Sequence, residues 1–142
     1  MVQEGQNTRN ETNMTNGLEK LFQFAIAGEG GGTMPHPRLV YVCHPITTGK
    51  ASLNENVAEI ELVCSMIRET GDIAISPYHI LRMTTLGTQV EAYEKALSLM
   101  CNCNIVDVSG DWWLSTGCIL EVITAERCKM AVRYKIQGDG TC

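Results

Sequence analysis

Three polar stretches of this chain hold the side chains that could do chemistry. The third, Ser109 to Gly117, is the richest: Ser115-Thr116-Gly117 leads into a helical run carrying Glu121. Free backbone N–H groups and a serine at a helix start favour a phosphate or carboxylate. Glu121 stands four residues beyond Gly117, about one turn into the helix, where the dipole favours the ionised form. An ionised carboxylate facing a cleft suits a nucleophile working near neutral pH. On spacing alone, the plainer reading of Glu121 is a solvent-exposed helix residue. His44 opens the first stretch, His44 to Lys50, and His79 lies in the second, Pro77 to Thr88. Either imidazole could move a proton near neutrality, although a lone loop histidine more often makes a structural contact. Trp112 and Trp113 could stack a nucleobase, or one could anchor the loop while the other meets a second subunit. Asp107 could touch a ribose hydroxyl or satisfy backbone groups. Arg82 could neutralise a phosphate, but reads more plainly as exposed.

Seven cysteines, an odd number, include no CxxC pair; Cys101 and Cys103 form a CxC with no histidine at zinc-finger spacing. They read as small buried hydrophobes rather than as ligands or disulfides, so no metal and no cofactor is expected.

Elements that would position these stretches follow from the pattern. Leu39 to Cys43 (LVYVC) is an apolar, β-branched run that reads as a buried strand. Ser52-Leu53-Asn54-Glu55 is a capping box. Val57, Ile60, Val63, Cys64 and Ile67 then recur at helical spacing until Gly71. Ile73 to Ser76 predicts a second strand, cut off by Pro77, with a long loop from Tyr78 to Gly87. A second capping box, Thr88 to Glu91, starts a helix with Val90, Tyr93, Leu97 and Met100 on one face. Ile105 to Val108 predicts a third strand, Cys118 to Cys128 a third helix, and Met130 to Ile136 a last strand. Strands alternating with helices imply a parallel sheet with helices on both faces. Ligands in such sheets bind beyond the carboxyl ends of the strands, where all three polar stretches converge.

Composition sets the outer limits. The chain has 142 residues, the size of one domain, and 44% hydrophobic residues, too many for wholesale disorder. A net charge of −5 argues against a nucleic-acid polymer as partner, because such a surface needs a basic face. No apolar stretch approaches the roughly 20 residues that span a bilayer, and the polar start lacks a signal-peptide pattern, so no membrane partner and a cytoplasmic location are expected. Residues 1–37 are rich in Asn, Thr, Gln and Gly, with four glycines between Gly28 and Gly32. They read as a flexible arm with one short helical stretch, Leu18 to Ala27, ahead of a domain over residues 38–142.

Residues 38 to 136 resemble the nucleoside 2-deoxyribosyltransferase superfamily, including its nucleotide N-hydrolase branches. Tyr41-Val42-Cys43-His44-Pro45-Ile46 is similar to the family's first motif. Asn56 opens the first helix, and Gly71 to Pro77 (GDIAISP) follows the family's helix-end, strand, Pro order. Gly110-Asp111, then Ser115 to Glu121, is similar to its S-x-G-x-x-x-E motif. The resemblance implies a flavodoxin-like, three-layer α/β fold with a parallel sheet of four to five strands. It also implies cleavage or transfer at an N-glycosidic bond. Glu121 then matches the nucleophile that attacks the anomeric carbon, Tyr41 a residue that orients it, and Ser115 a serine near the 5′-phosphate. His44, Pro45, Ile46, Asp111, Trp113 and Gly117 fall within the substrate-binding motifs. Two departures stand out. Ala96 occupies the position of an Asp that assists base departure, and His44 replaces a small Gly in the first loop. His79 is the residue that could serve as proton donor instead.

The reading is therefore an N-glycosidase or transferase acting on a small-molecule nucleoside or nucleotide, assembled, as family members commonly are, as a homodimer or larger homo-oligomer. A non-catalytic nucleotide-binding module of the same fold is the alternative, consistent with Ala96 and His44. A flavodoxin-like redox protein is weaker, because Thr47 and Thr48 alone supply the Ser/Thr-rich cradle that such a cofactor needs after the first strand.

Overall fold

The computed structural model describes residues 17–23, 25, 37–82 and 87–135. The chain divides into two units, residues 1–36 and 37–142. In the first, residues 17–23 are helical and expose Leu18, Leu21 and Phe22. The glycine run and the rest of the expected arm lie outside the described residues.

The second unit builds β1 (Leu39–Cys43), α1 (Leu53–Glu69), β2 (Ile73–Ile75), α2 (Pro77–Leu81), α3 (Gln89–Cys101), β3 (Ile105–Val108), a 3₁₀ turn (Trp112–Leu114), α4 (Thr116–Arg127) and β4 (Ala131–Tyr134). All sheet pairings are parallel, in the order β2-β1-β3-β4. This is an α/β, flavodoxin-like arrangement: a four-stranded parallel sheet between helical layers. Alternate side chains of β1 explain the layering. Val40 and Val42 join Ile105 and the Ile60, Val63, Cys64 and Ile67 face of α1. Tyr41 and Cys43 join Val106, Val108, Met100 and the Cys118, Val122 and Ala125 face of α4. With both faces covered, β1 is apolar at every position rather than at alternate ones.

Each long helix starts on its own capping residue, which places the loop before it. Ser52 Oγ accepts the Glu55 N–H, Thr88 and Glu91 form a reciprocal capping box, and Ser115 Oγ accepts the Cys118 N–H. The structure differs from expectation in two places. Pro77 begins a helical turn where a loop was predicted: its fixed φ suits the first position of a helix. Asp107 reaches no open site, because β3–β4 register sets it beside Arg133, whose Nε donates at 2.6 Å and Nη2 at 3.1 Å. The last strand is described from Ala131 to Tyr134, and residues from Ile136 onward lie outside the described region. Among the described residues, no helix is long and apolar enough to cross a membrane.

Candidate active site

Beyond the carboxyl ends of β1 and β3 lies a cavity of about 400 Å³. It is lined by Ile46, Thr47 and Thr48 of the first loop and by Tyr78, Leu81 and Arg82 at α2. Gln89, Ala92, Tyr93 and Ala96 of α3 also line it, as do Ser115, Thr116, Gly117, Cys118 and Glu121 at the start of α4.

Glu121 is the charged group at its base. Its position one turn into α4 points it at the sheet instead of solvent, and it is 8% exposed. Burial pushes its pKa from 4.5 up to about 7, while the Tyr41 hydroxyl and Cys43 thiol pull it down by less. Burial thus works against the ionised form that a helix start favours. Glu121 Oε2 and the Tyr41 hydroxyl are both buried without a hydrogen bond. The hydroxyl lies close enough to favour the carboxylate, and Oε2 has no hydrogen-bond partner among the described residues. The Tyr41 hydroxyl is itself held well above its ordinary pKa, by burial first and then by Glu121, so it stays protonated. Cys43 is likewise raised, by its hydrogen bond with Cys118 and by burial.

The loops around Glu121 are fastened from below. Asn56, buried in the first turn of α1, donates from Nδ2 to the carbonyls of Ile46 at 3.0 Å and Thr48 at 3.3 Å. This fixes the wall that carries Thr47 and Thr48. Gly117 lets α4 close on α3, since a Cβ there would lie 3.3 Å from Tyr93 Cε1.

No protein-family model matches the sequence, and no curated protein sequence matches it. Among solved structures the chain is similar to a 2-deoxyribosyltransferase from the psychrotolerant bacterium Bacillus psychrosaccharolyticus. The two share 16% identity at a TM-score of 0.54, over 70% of this chain and 77% of that one. The fold is that of a nucleoside 2-deoxyribosyltransferase.

Within this deoxyribosyltransferase-like fold, Glu121, Ser115, Gly117, Ile46 and His44 reach the cavity, and Tyr41 lies fully buried near Glu121. The imidazole of His44 does not face it: the ring is 1% exposed and engaged with Glu59. Pro45 is buried and, like Asp111, absent from the lining. Trp113 is 54% exposed and outside the cavity, while Trp112 packs beside Tyr134 with ring centroids 5.9 Å apart. His79 sits on α2 outside the cavity lining, its Nε2 4.0 Å from Glu61 of α1. Sequence reasoning missed Tyr78 and Tyr93 as wall residues. Tyr93 was assigned to a helix face, and only the glycine opposite it hinted at close approach. Arg82 reaches the wall through Tyr78: its Nη1 donates to the phenol oxygen at 2.8 Å and its guanidinium lies 5.0 Å from the ring centroid.

Proposed function

We propose that residues 38–142 cleave or transfer the N-glycosidic bond of a nucleoside or nucleotide, with Glu121 as nucleophile. The observation that carries this reading is a carboxylate nine-tenths buried that still opens on a cavity with one oxygen unpartnered. In its ionised form Glu121 attacks the anomeric carbon, and the C–N bond breaks as the base leaves with the bonding pair. The glycosyl ester so formed is resolved by water or a second base attacking the same carbon. Tyr41 holds the carboxylate from beneath, and Ser115, Thr116 and Gly117 present the start of α4 to a polar group of the substrate. The base takes its proton from solvent, because Ala96 stands where the resemblance places an Asp that assists base departure. Exposed apolar side chains such as Trp113, Leu120 and Ile123 support assembly into a homodimer or larger homo-oligomer.

The test is incubation with a panel of nucleosides and nucleotides, in ribo and 2-deoxy form, followed by chromatography for free base. Release of base by the wild-type protein and its loss in Glu121→Ala is the expected result; turnover that survives the substitution overturns the reading. Ala96 at that position favours a second reading, a binding module of this fold without turnover. Calorimetric nucleotide binding that survives Glu121→Ala, with no free base, would identify that case.

A further inference from the structure

His44 is the first residue after β1, and its ring is engaged on every side. Nδ1 lies 2.7 Å from the Pro45 carbonyl oxygen, and Nε2 lies 2.7 Å from Glu59 Oε2 on α1. A carbonyl oxygen only accepts, so Nδ1 donates to Pro45, and at 2.7 Å a hydrogen also lies between Nε2 and the Glu59 carboxyl. The third side is Gly110, in the loop leading to α4. A Cβ on Gly110 would lie 2.7 Å from Nε2, 3.0 Å from Cε1 and 3.1 Å from Cδ2 of His44. Close approach to three ring atoms at once means that the imidazole lies against the Gly110 backbone. Gly110 also has φ +69°, a left-handed conformation that favours glycine. Beside it, the Ser109 N–H donates at 3.0 Å to the carbonyl of Cys43, the residue before His44.

These contacts tie the first loop to the loop after β3, and both loops lead to residues that line the cavity. The first loop carries Ile46, Thr47 and Thr48; the loop after β3 runs from Gly110 to Ser115, the cap of the helix that bears Glu121. We infer that His44 is a positioning residue: an imidazole tied to Glu59 and seated on Gly110 that sets the spacing between these loops. Through them it sets the place of Ser115 and Glu121 relative to Thr47 and Thr48. It acts through those residues and touches no substrate with its ring.

The kinetic consequence rests on the glycosyl reading; the geometry does not, so the experiment has two arms. Proton NMR of the wild-type protein near neutral pH should show two slowly exchanging imidazole N–H signals, both absent in His44→Asn. Glu59→Ala should lose the Nε2 signal. A single signal or none in the wild type overturns the proposal, whatever the enzyme does. In the kinetic arm, Glu59→Ala and Gly110→Ala should each lower kcat for base release by about 10- to 100-fold, the scale of a misplacement near 1 Å. KM should change by less than about 3-fold, because the groups that touch substrate are all still present. Glu59→Gln, which keeps an acceptor for Nε2–H, should recover most of the lost kcat. Exposed Leu62→Ala on the same helix should behave as wild type. A purely structural role would lower the melting temperature while leaving kcat per folded molecule intact, and that outcome overturns the proposal. Should the wild type release no base from any glycoside, the glycosyl reading fails and the NMR arm alone decides the tie.

Discussion

Glu121→Gln removes a charge without changing the shape of the side chain, and its effect on stability follows from the burial of the carboxyl. Burial raises the native pKa from 4.5 to about 7, so the folded protein holds this proton more tightly than the unfolded chain does. Stability from this group is then greatest below the unfolded value and is lost as pH rises through the native one. At about 1.4 kcal/mol per pKa unit, the cost of the ionised form reaches about 3 kcal/mol at high pH. Between about pH 5 and pH 8 the loss is on the order of 2 to 3 kcal/mol. The Gln variant escapes it, because the amide does not ionise. Urea unfolding followed by circular dichroism at those two pH values should show a wild type that weakens and a variant that does not. At the higher pH the variant should be the more stable, with a melting temperature raised by roughly 10 °C or more. A Gln variant that weakens over this range as much as the wild type would refute the placing of Glu121 in a desolvated site. A Gln variant less stable than wild type at pH 8 would do so as well.

Two further outcomes are expected. Tyr41→Phe removes a hydroxyl that pulls the Glu121 pKa down, so the rising limb of the kcat/KM–pH profile for base release should move to higher pH; an unmoved limb would separate Tyr41 from Glu121. Arg133→Ala leaves the buried Asp107 carboxylate without its partner and should cost about 1–3 kcal/mol in urea unfolding, with no change in which glycosides are cleaved.

The framework was legible because its signals are local. The two capping boxes, the β-branched run Leu39–Cys43 and the punctuation at Gly71 and Pro77 depend on residues within a few positions of each other. Spacing also marked Ser115 and Glu121 as a pair at the start of one helix. What it did not carry was the direction in which Glu121 faces, because that depends on Tyr41 and Cys43, far off in the chain. The same limit applies to His44, whose three partners come from its own loop, from Glu59 and from Gly110. Trp113 misled for the opposite reason: adjacent tryptophans suggested a stacking platform, but the 3₁₀ turn sends Trp112 toward Tyr134 and leaves its neighbour in solvent. His79 sat in a promising loop until that loop proved to begin with a helical turn facing Glu61.

The central place of β1 also bears on how the chain is made. Val40 pairs with Ala74 on one edge and with Ile105 on the other, so its second partner is synthesised much later than its first. At roughly 5–20 residues per second, the interval between Val40 and Ile105 leaving the peptidyl-transferase centre is about 3–13 s. Throughout it, Leu39–Cys43 presents an unpaired, β-prone and uncharged edge, the kind that captures other strands. The strand that leads into the cavity's first loop is therefore exposed to mispairing on the ribosome, and α1 covers only one of its faces there.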